Sequence, residues 1–413
     1  MCLGKFKMEY LKSNHRVKVE FNQLAFFSYI LLLLWSFLNI FFSQELKTLV
    51  KLQNMIALPI LFLGTLCILD VFSKKWKIVI NKKIIFVVGV VCASLVLSFI
   101  GSFKQLVVTA RVYVVLGIIL FYLSYKDNIS YKSKKHITAL FYWCLFLSIL
   151  YNFIFAGELN YDFYFPNLMD KNYTGVLVFL FFMLSLKLKH LSGIALSCFY
   201  MLFMTNSRSF YGMMAIFLLL KFFRNNIIYI IKFLNFKKTI SQFCVLFLGV
   251  VVLSIFWINY VSVNPLAHYK EGLNDGSNKM RFVANVYALN KMKDDTRFIY
   301  KGLGDHIKET LGVASEDYSQ HTRVMGARLV QPHNCFINMM LKIGIIESII
   351  YFCLLAYLID KIRSCNNIEY YFPYIINACF MHSLLDGPFL VIWTFILILS
   401  QESELGVHNA ITK

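Results

Sequence analysis

Charged side chains are scarce in this chain. They make up 15% of its 413 residues, where a soluble domain carries about a quarter. The ten cysteines are scattered, mostly inside apolar runs, with no CxxC pair, which excludes a zinc pattern and a disulfide framework. They read as small buried hydrophobes. No DxD pair and no cluster of His and Asp offers ligands to a divalent metal. Internal repeats and low-complexity tracts are absent, and no small-residue cleavage site follows the first apolar run, Leu24 to Phe42. That run therefore reads as a retained anchor.

What replaces charge is apolar surface: 59% of residues are hydrophobic and 17% aromatic. They fall into runs of roughly 15 to 22, close to the ~20 needed for a helix to cross a bilayer. The composition predicts an all-α polytopic membrane protein. Spans are expected near 24–43, 54–72, 84–101, 106–124, 137–156, 173–187, 191–205, 209–222, 242–262, 334–358, 370–385 and 388–401. The pair around "MTNSRSFYG" is short. The formal charge of +19 is not a nucleic-acid signature, because the basic residues cluster between alternate spans. Examples are Lys74, Lys75, Lys77, Lys82 and Lys83, then Lys126, Lys132, Lys134 and Lys135. Cytoplasmic loops retain such clusters. Twelve crossings then put residues 1–23 and 402–413 in the cytoplasm, with helices in 24–263 and 333–401.

Residues 264–332 form one outer loop of 69 residues, far longer than a plain connector. Within it "MRFVANVYALNKMK" places Phe282, Val286 and Leu289 at i, i+4 and i+7, a surface-helix pattern.

The loop ends on "QPHNCFINMMLKIG", where a polar tetrad opens an apolar helix. Pro332 suits a helix start. From there His333, Ile337, Met340 and Gly344 would share one face within about 40°, with Gly344 leaving space below the histidine. An imidazole at the water boundary can accept a proton and pass it on, or serve simply as an interfacial polar group. Lys342, nine residues further on, would lie about 13.5 Å deeper along a continuous helix, as an intramembrane cation like Arg111. Such a cation marks a cavity or pairs with a buried partner, and a structural pairing is expected for Lys342. Glu347, Asp70 and Asp386 are the carboxylates at or near span level.

Arg208, between Ser207 and Ser209 at the outer end of the two short spans, has a fork of donors suited to phosphate. Snorkelling to lipid headgroups is the alternative. Arg281 opens the amphipathic stretch; Arg297 precedes "KGLG", whose Gly302 and Gly304 permit close backbone approach. Several arginines and one histidine on the outer side suit an anionic lipid diphosphate and a proton acceptor, without metal.

In their order and spacing, "TNSRS" before a span, an arginine then "GLG" in a large external loop, and "PHN" with a glycine following resemble the O-antigen ligase/polymerase superfamily. That family includes Wzy-type polymerases and WaaL-type ligases. The motifs cover roughly residues 170–360. The resemblance implies a GT-C-like glycosyltransferase that needs no cofactor. It would act on undecaprenyl-diphosphate-linked oligosaccharide outside the cytoplasmic membrane, and a chain-length regulator protein is a partner that the resemblance allows. Carried over, His333 matches the family's base, Asn334 its neighbour, and Arg208 and Arg281 the arginines at the diphosphate. Arg297, Gly302 and Gly304 fall in the loop motif, although proline is commoner in the family near position 297. Glu347 stands where a second glycine is common. "Pro-His-Asn" resembles polymerases; ligases more often carry His-x-His-Asn. A ligase, another family transferase and a lipid-linked sugar flippase remain alternatives.

Overall fold

The computed structural model describes residues 23–41, 103–155, 165, 168, 171–203, 207–223, 285, 288–304, 332–362, 368–381 and 383–411. Among them the regular elements are all helical. They are α1 (Gln23–Phe41), α2 (Phe103–Tyr125), α3 (Tyr131–Phe155), α4 (Lys171–Leu188), α5 (Leu191–Phe203), α6 (Arg208–Phe222), α7 (Cys335–Ile343), α8 (Ile345–Ile362), α9 (Ile368–Ala378) and α10 (Pro388–Ile411). A short helical stretch at 288–294 leads into a 3-10 turn, Thr296–Ile299. Four segments, Gln23–Phe41, Gln105–Tyr125, Tyr131–Phe155 and Lys171–Leu188, are long and apolar enough to cross a membrane. Together with the helical architecture, they are what a helical membrane protein requires.

The chain forms two compact units. One holds α1, α3, α4, α5, α10 and parts of α2 and α6. Its centre is α4, buried without interruption from Asn172 to Ser185. A helix apolar on every side belongs inside a bundle, and α4 packs against α3, α5 and α10. Small residues set the closest approaches. A Cβ on Gly193 would meet Ser185 Oγ and Tyr142 Oη, so only hydrogen fits there. Gly175 likewise leaves room for Ser207. Ser207 in turn caps α6, its Oγ accepting the Phe210 N–H at 3.3 Å.

The second unit holds the first half of α2, the end of α6, the described loop residues and α7 to α9. Here a long run behaves differently from expectation. The apolar stretch 334–358 is not one helix, because it breaks at Gly344, whose φ of 97° and ψ of 162° lie in a region open essentially to glycine alone. The Gly344 N–H closes the last turn of α7 on Met340 O at 3.0 Å, and its own carbonyl accepts the Ser348 N–H at 3.1 Å to start α8. Two corrections follow. Gly344 does not form a notch under His333 on a helix face, since His333 lies in the bend before the helix. Lys342 does not lie partway along a continuous helix; it occupies the last turn of α7, where a cation suits the negative end of the helix dipole.

Most other described boundaries lie near their expected places, but two differ. The span expected at 370–385 ends at Ala378, where the chain leaves the helix for turns and bends at 379–380 and 383–387. The last helix does not stop near 401 but runs on to Ile411. The anchor expected from Leu24 is Gln23–Phe41, and the short pair measures 13 and 15 residues. The expected spans 54–72, 84–101 and 242–262 lie outside the described residues, as does most of the expected loop 264–332, including Phe282 and Val286.

Candidate active site

Asn334 organises the start of α7. Its Oδ1 accepts the N–H of Phe336 at 2.9 Å and of Ile337 at 3.2 Å, two of the donors that a helix start leaves without a partner. The residue is buried, so those N–H groups have no easy recourse to water. A second anchor is Cys335, whose Sγ accepts the Leu384 N–H at 3.2 Å. The hydroxyl of Tyr374 donates to Leu384 O and that of Tyr351 to Leu385 O. The beginning of α7 is thereby tied to the non-helical segment after α9. His333, half-buried, sits directly before this fixed cap.

The far end of α7 receives the loop. Leu303 N–H donates to Leu341 O at 2.7 Å, taking one of the carbonyls that a helix end leaves open. Gly302 lies flat on the Lys342–Ile343 peptide; a Cβ there would meet the Lys342 carbonyl oxygen and carbon and the Ile343 nitrogen. Gly304 has φ 63°, the left-handed conformation that glycine adopts without penalty. The residues of "GLG" thus divide the docking between them, Gly302 by contact, Leu303 by its hydrogen bond and Gly304 by its turn. Beneath them Ala288, Met292, Phe298, Ile337 and Leu341 form a buried cluster, with Leu289, Leu303, Met340 and Ile345 packed at its edge. Burying a side chain such as Phe298 contributes roughly 1.5–3 kcal/mol, so the loop is held by packing as well as by bonds.

Two residues of α2 complete the junction. Gln105 Nε2 donates to Ile343 O at 3.1 Å and to Tyr300 O at 3.5 Å. The Tyr113 hydroxyl donates to Glu347 O at 2.8 Å. Glu347 itself is fully buried in the first turn of α8, at the helix end where negative charge is favoured. No sequence pattern announced Gln105 or Tyr113 as partners of this region. The available signal was a polar residue at the threshold of an apolar run.

The arginines are distributed unevenly. Arg297 is exposed, and its guanidinium grips Asp295, with Nη2 2.8 Å from Oδ2 and Nε 2.9 Å from Oδ1. Asp295 Oδ1 also accepts the Arg297 backbone N–H at 3.0 Å, which caps the 3-10 turn. The hydrogen bonds from Arg297 hold the Asp295 carboxyl below the usual range, and the carboxylate in turn raises the Arg297 pKa. Nearby, partial burial lowers the pKa of Lys291, with Asp295 opposing that shift. Arg208 opens α6, in the first unit. Arg281 lies outside the described residues. The structure thus brings Asn334, Gly302, Gly304, Gly344 and the His333 bend into one unit, with Arg297 on the loop that docks there.

No protein-family model matches the chain, and neither a curated protein nor a solved structure matches it.

Proposed function

We propose that this protein polymerises undecaprenyl-diphosphate-linked oligosaccharide repeat units, of O-antigen or capsule type, on the outer side of a bacterial cytoplasmic membrane. Twelve spans with both termini in the cytoplasm belong to the same proposal, as does the large outer loop. The observation that carries it is the seating of "KGLG" on the end of the helix that "PHN" opens, through Gly302 and the Leu303–Leu341 hydrogen bond. Two short motifs about thirty residues apart in sequence thereby become parts of one construction, as a loop that helps to form a catalytic site would require.

In this reading the acceptor sugar hydroxyl of an incoming lipid-linked unit gives its proton to His333. Its oxygen attacks the anomeric carbon of the growing chain, and the bond to undecaprenyl diphosphate breaks. Arg208 and Arg281 stabilise the negative charge that develops on the leaving diphosphate. Diphosphate is already a good leaving group, so positioning and charge neutralisation account for much of the rate. Arg297 takes part if substrate draws it from Asp295. The helix break is compatible with this placement: Ile343 lies beside Gln105, the first residue of an apolar segment long enough to cross. The crossing then begins at α8, and α7 with its histidine stays at the outer boundary.

A deletion strain tests the proposal. Surface glycan should be capped at one repeat unit. Glycan absent from the surface, with polymer retained on the lipid carrier, would identify a ligase; single units retained on the cytoplasmic face would identify a flippase. His333→Ala should insert normally and make no polymer. Normal chain lengths in that variant would remove His333 from the mechanism.

A further inference from the structure

The break at Gly344 creates a problem that the loop alone does not solve. Carbonyls in the last turn of a helix have no partner within it, and Ile343 O is one of them, at the point where the chain turns into α8. One nitrogen, Gln105 Nε2, reaches this carbonyl and that of Tyr300, at 3.1 and 3.5 Å. An amide nitrogen carries two hydrogens, one for each acceptor. Gln105 is 2% exposed. Its partners lie 195 and 238 residues away in sequence. A single side chain therefore pins the start of α2, the loop and the α7–α8 break to one another.

We infer that Gln105 is a positioning residue for the transfer reaction, holding α7 at its C-terminal end so that His333, at the other end, keeps its place. The inference rests on the proposed role of His333. Helix α7 has nine residues and is about 13 Å long. As a short rigid rod it passes a tilt at Ile343 on to the bend at His333. The N-terminal end is fixed by Asn334 and Cys335, and the C-terminal end by Leu303 and Gln105. The Leu303 bond belongs to the loop and moves with it. The Gln105 bond comes from a separate long helix and supplies the external reference.

The chemistry at position 105 is specific. Two carbonyl oxygens require a donor. Glutamate has nearly the same shape, but when ionised it offers only acceptors; protonated, it donates again. The test uses the full-length chain in native membranes, supplied with the host's own lipid-linked repeat unit. Gln105→Glu should insert at the parental level and lose about 100-fold in polymerisation rate near neutral pH, the loss expected for a misplacement of about 1 Å. The loss should fall mainly in kcat rather than KM. Acidification should restore part of the rate to Gln105→Glu and to no other variant.

Gln105→Met, which keeps the bulk and loses the donor, should be slow at every pH. In spheroplasts, both variants should expose the Lys301–Gly302 bond to trypsin, whereas His333→Ala should show the parental cleavage pattern. Parental rates in Gln105→Glu and Gln105→Met would overturn the inference, as would a loss in Gln105→Glu that acid does not relieve. Activity retained in His333→Ala would instead overturn the reading of the site, while the cleavage pattern would still report whether Gln105 holds the loop.

Discussion

Replacing Gly302 by alanine tests the contact on which the loop rests. The added Cβ would stand 2.3 Å from Lys342 O, 2.4 Å from its carbonyl carbon and 2.6 Å from Ile343 N. A carbon and a carbonyl oxygen rest at about 3.3 Å or more, so the loop must retreat by about 1 Å. All three obstacles are backbone atoms of a helix end, which cannot swing aside as a flexible side chain would. A retreat of that size takes the 2.7 Å bond from Leu303 N to Leu341 O beyond hydrogen-bonding range. Overpacking typically costs about 1–3 kcal/mol and the lost bond about 1 kcal/mol net. The docked loop should lose about 2–4 kcal/mol relative to the undocked one. At about 1.4 kcal/mol per factor of ten, that is a shift of roughly 30- to 1000-fold.

Trypsin reads this shift directly, because the bond after Lys301 is the one pressed against α7. Where opening and closing are fast, cleavage follows the population of the open form, so the rate in spheroplasts should rise by about the same factor. Gly304→Ala is the internal control. Its Cβ would meet only Val108 Cγ2, at an ordinary 3.7 Å, and its cost is the left-handed φ, about 1–2 kcal/mol. Gly302→Ala should therefore exceed Gly304→Ala in both cleavage and loss of polymer length. Equal protection in Gly302→Ala and the parent would refute the close approach, and with it the account of how the loop is held.

Two further outcomes follow from the same region. Asn334→Ala removes the acceptor of two buried N–H groups, so it should cost about 2 kcal/mol, the upper part of the range for helix caps. Asn334→Asp, which keeps the acceptor, should lose much less in thermal unfolding of the detergent-solubilised protein. The Asp295–Arg297 lock depends on pH. The Asp295 carboxyl titrates below its ordinary value, so its contribution is complete above about pH 4 and is lost as pH falls through the lower folded value. Hydrogen-exchange protection of the Arg297, Tyr300 and Lys301 amides should hold from neutrality to about pH 4, weaken below it and be lost as pH falls through the lower folded value. Asp295→Asn should abolish that transition; an unchanged transition would assign it to another group.

The sequence makes some of this site readable because some of its causes are local. A polar tetrad with proline, directly before an apolar run, declares a helix start, and a helix does open there, with Asn334 rather than Pro332 at its edge as the cap. Glycines spaced as in "GLG" declare a close approach, and Gly302 makes one. What they approach is not local, since Lys342 lies about forty residues further on. The break at Gly344 is hidden for a related reason. An isolated glycine in an apolar run is compatible with a continuous helix, and hydropathy alone favours one helix over 334–358. Leu303 and Gln105 supply partners for Leu341 O and Ile343 O, and so make the interruption tolerable. Those partners come from remote parts of the chain, which no periodicity within the run can reveal.

The break also changes what Lys342 signifies. On a continuous helix, an ammonium about 13.5 Å beyond His333 sits in hydrocarbon, and such a cation marks a cavity or, as expected for Lys342, pairs with a buried partner. At the end of a nine-residue helix, beside a docked loop, the same ammonium meets the negative end of the dipole. No intramembrane role is then needed for it. His333 and Lys342 become the two ends of one short element: the first before a buried cap, the second against the loop. A protein that transfers sugar at a membrane boundary needs its proton acceptor to reach water and its supports to be dry. A helix of about 13 Å can meet both needs if it lies at the boundary, capped at one end and pinned at the other. A helix continuing straight into lipid would offer the histidine no support from the loop. In the proposed reading Gly344, by ending α7 where Gln105 can hold it, separates the element that carries His333 from α8.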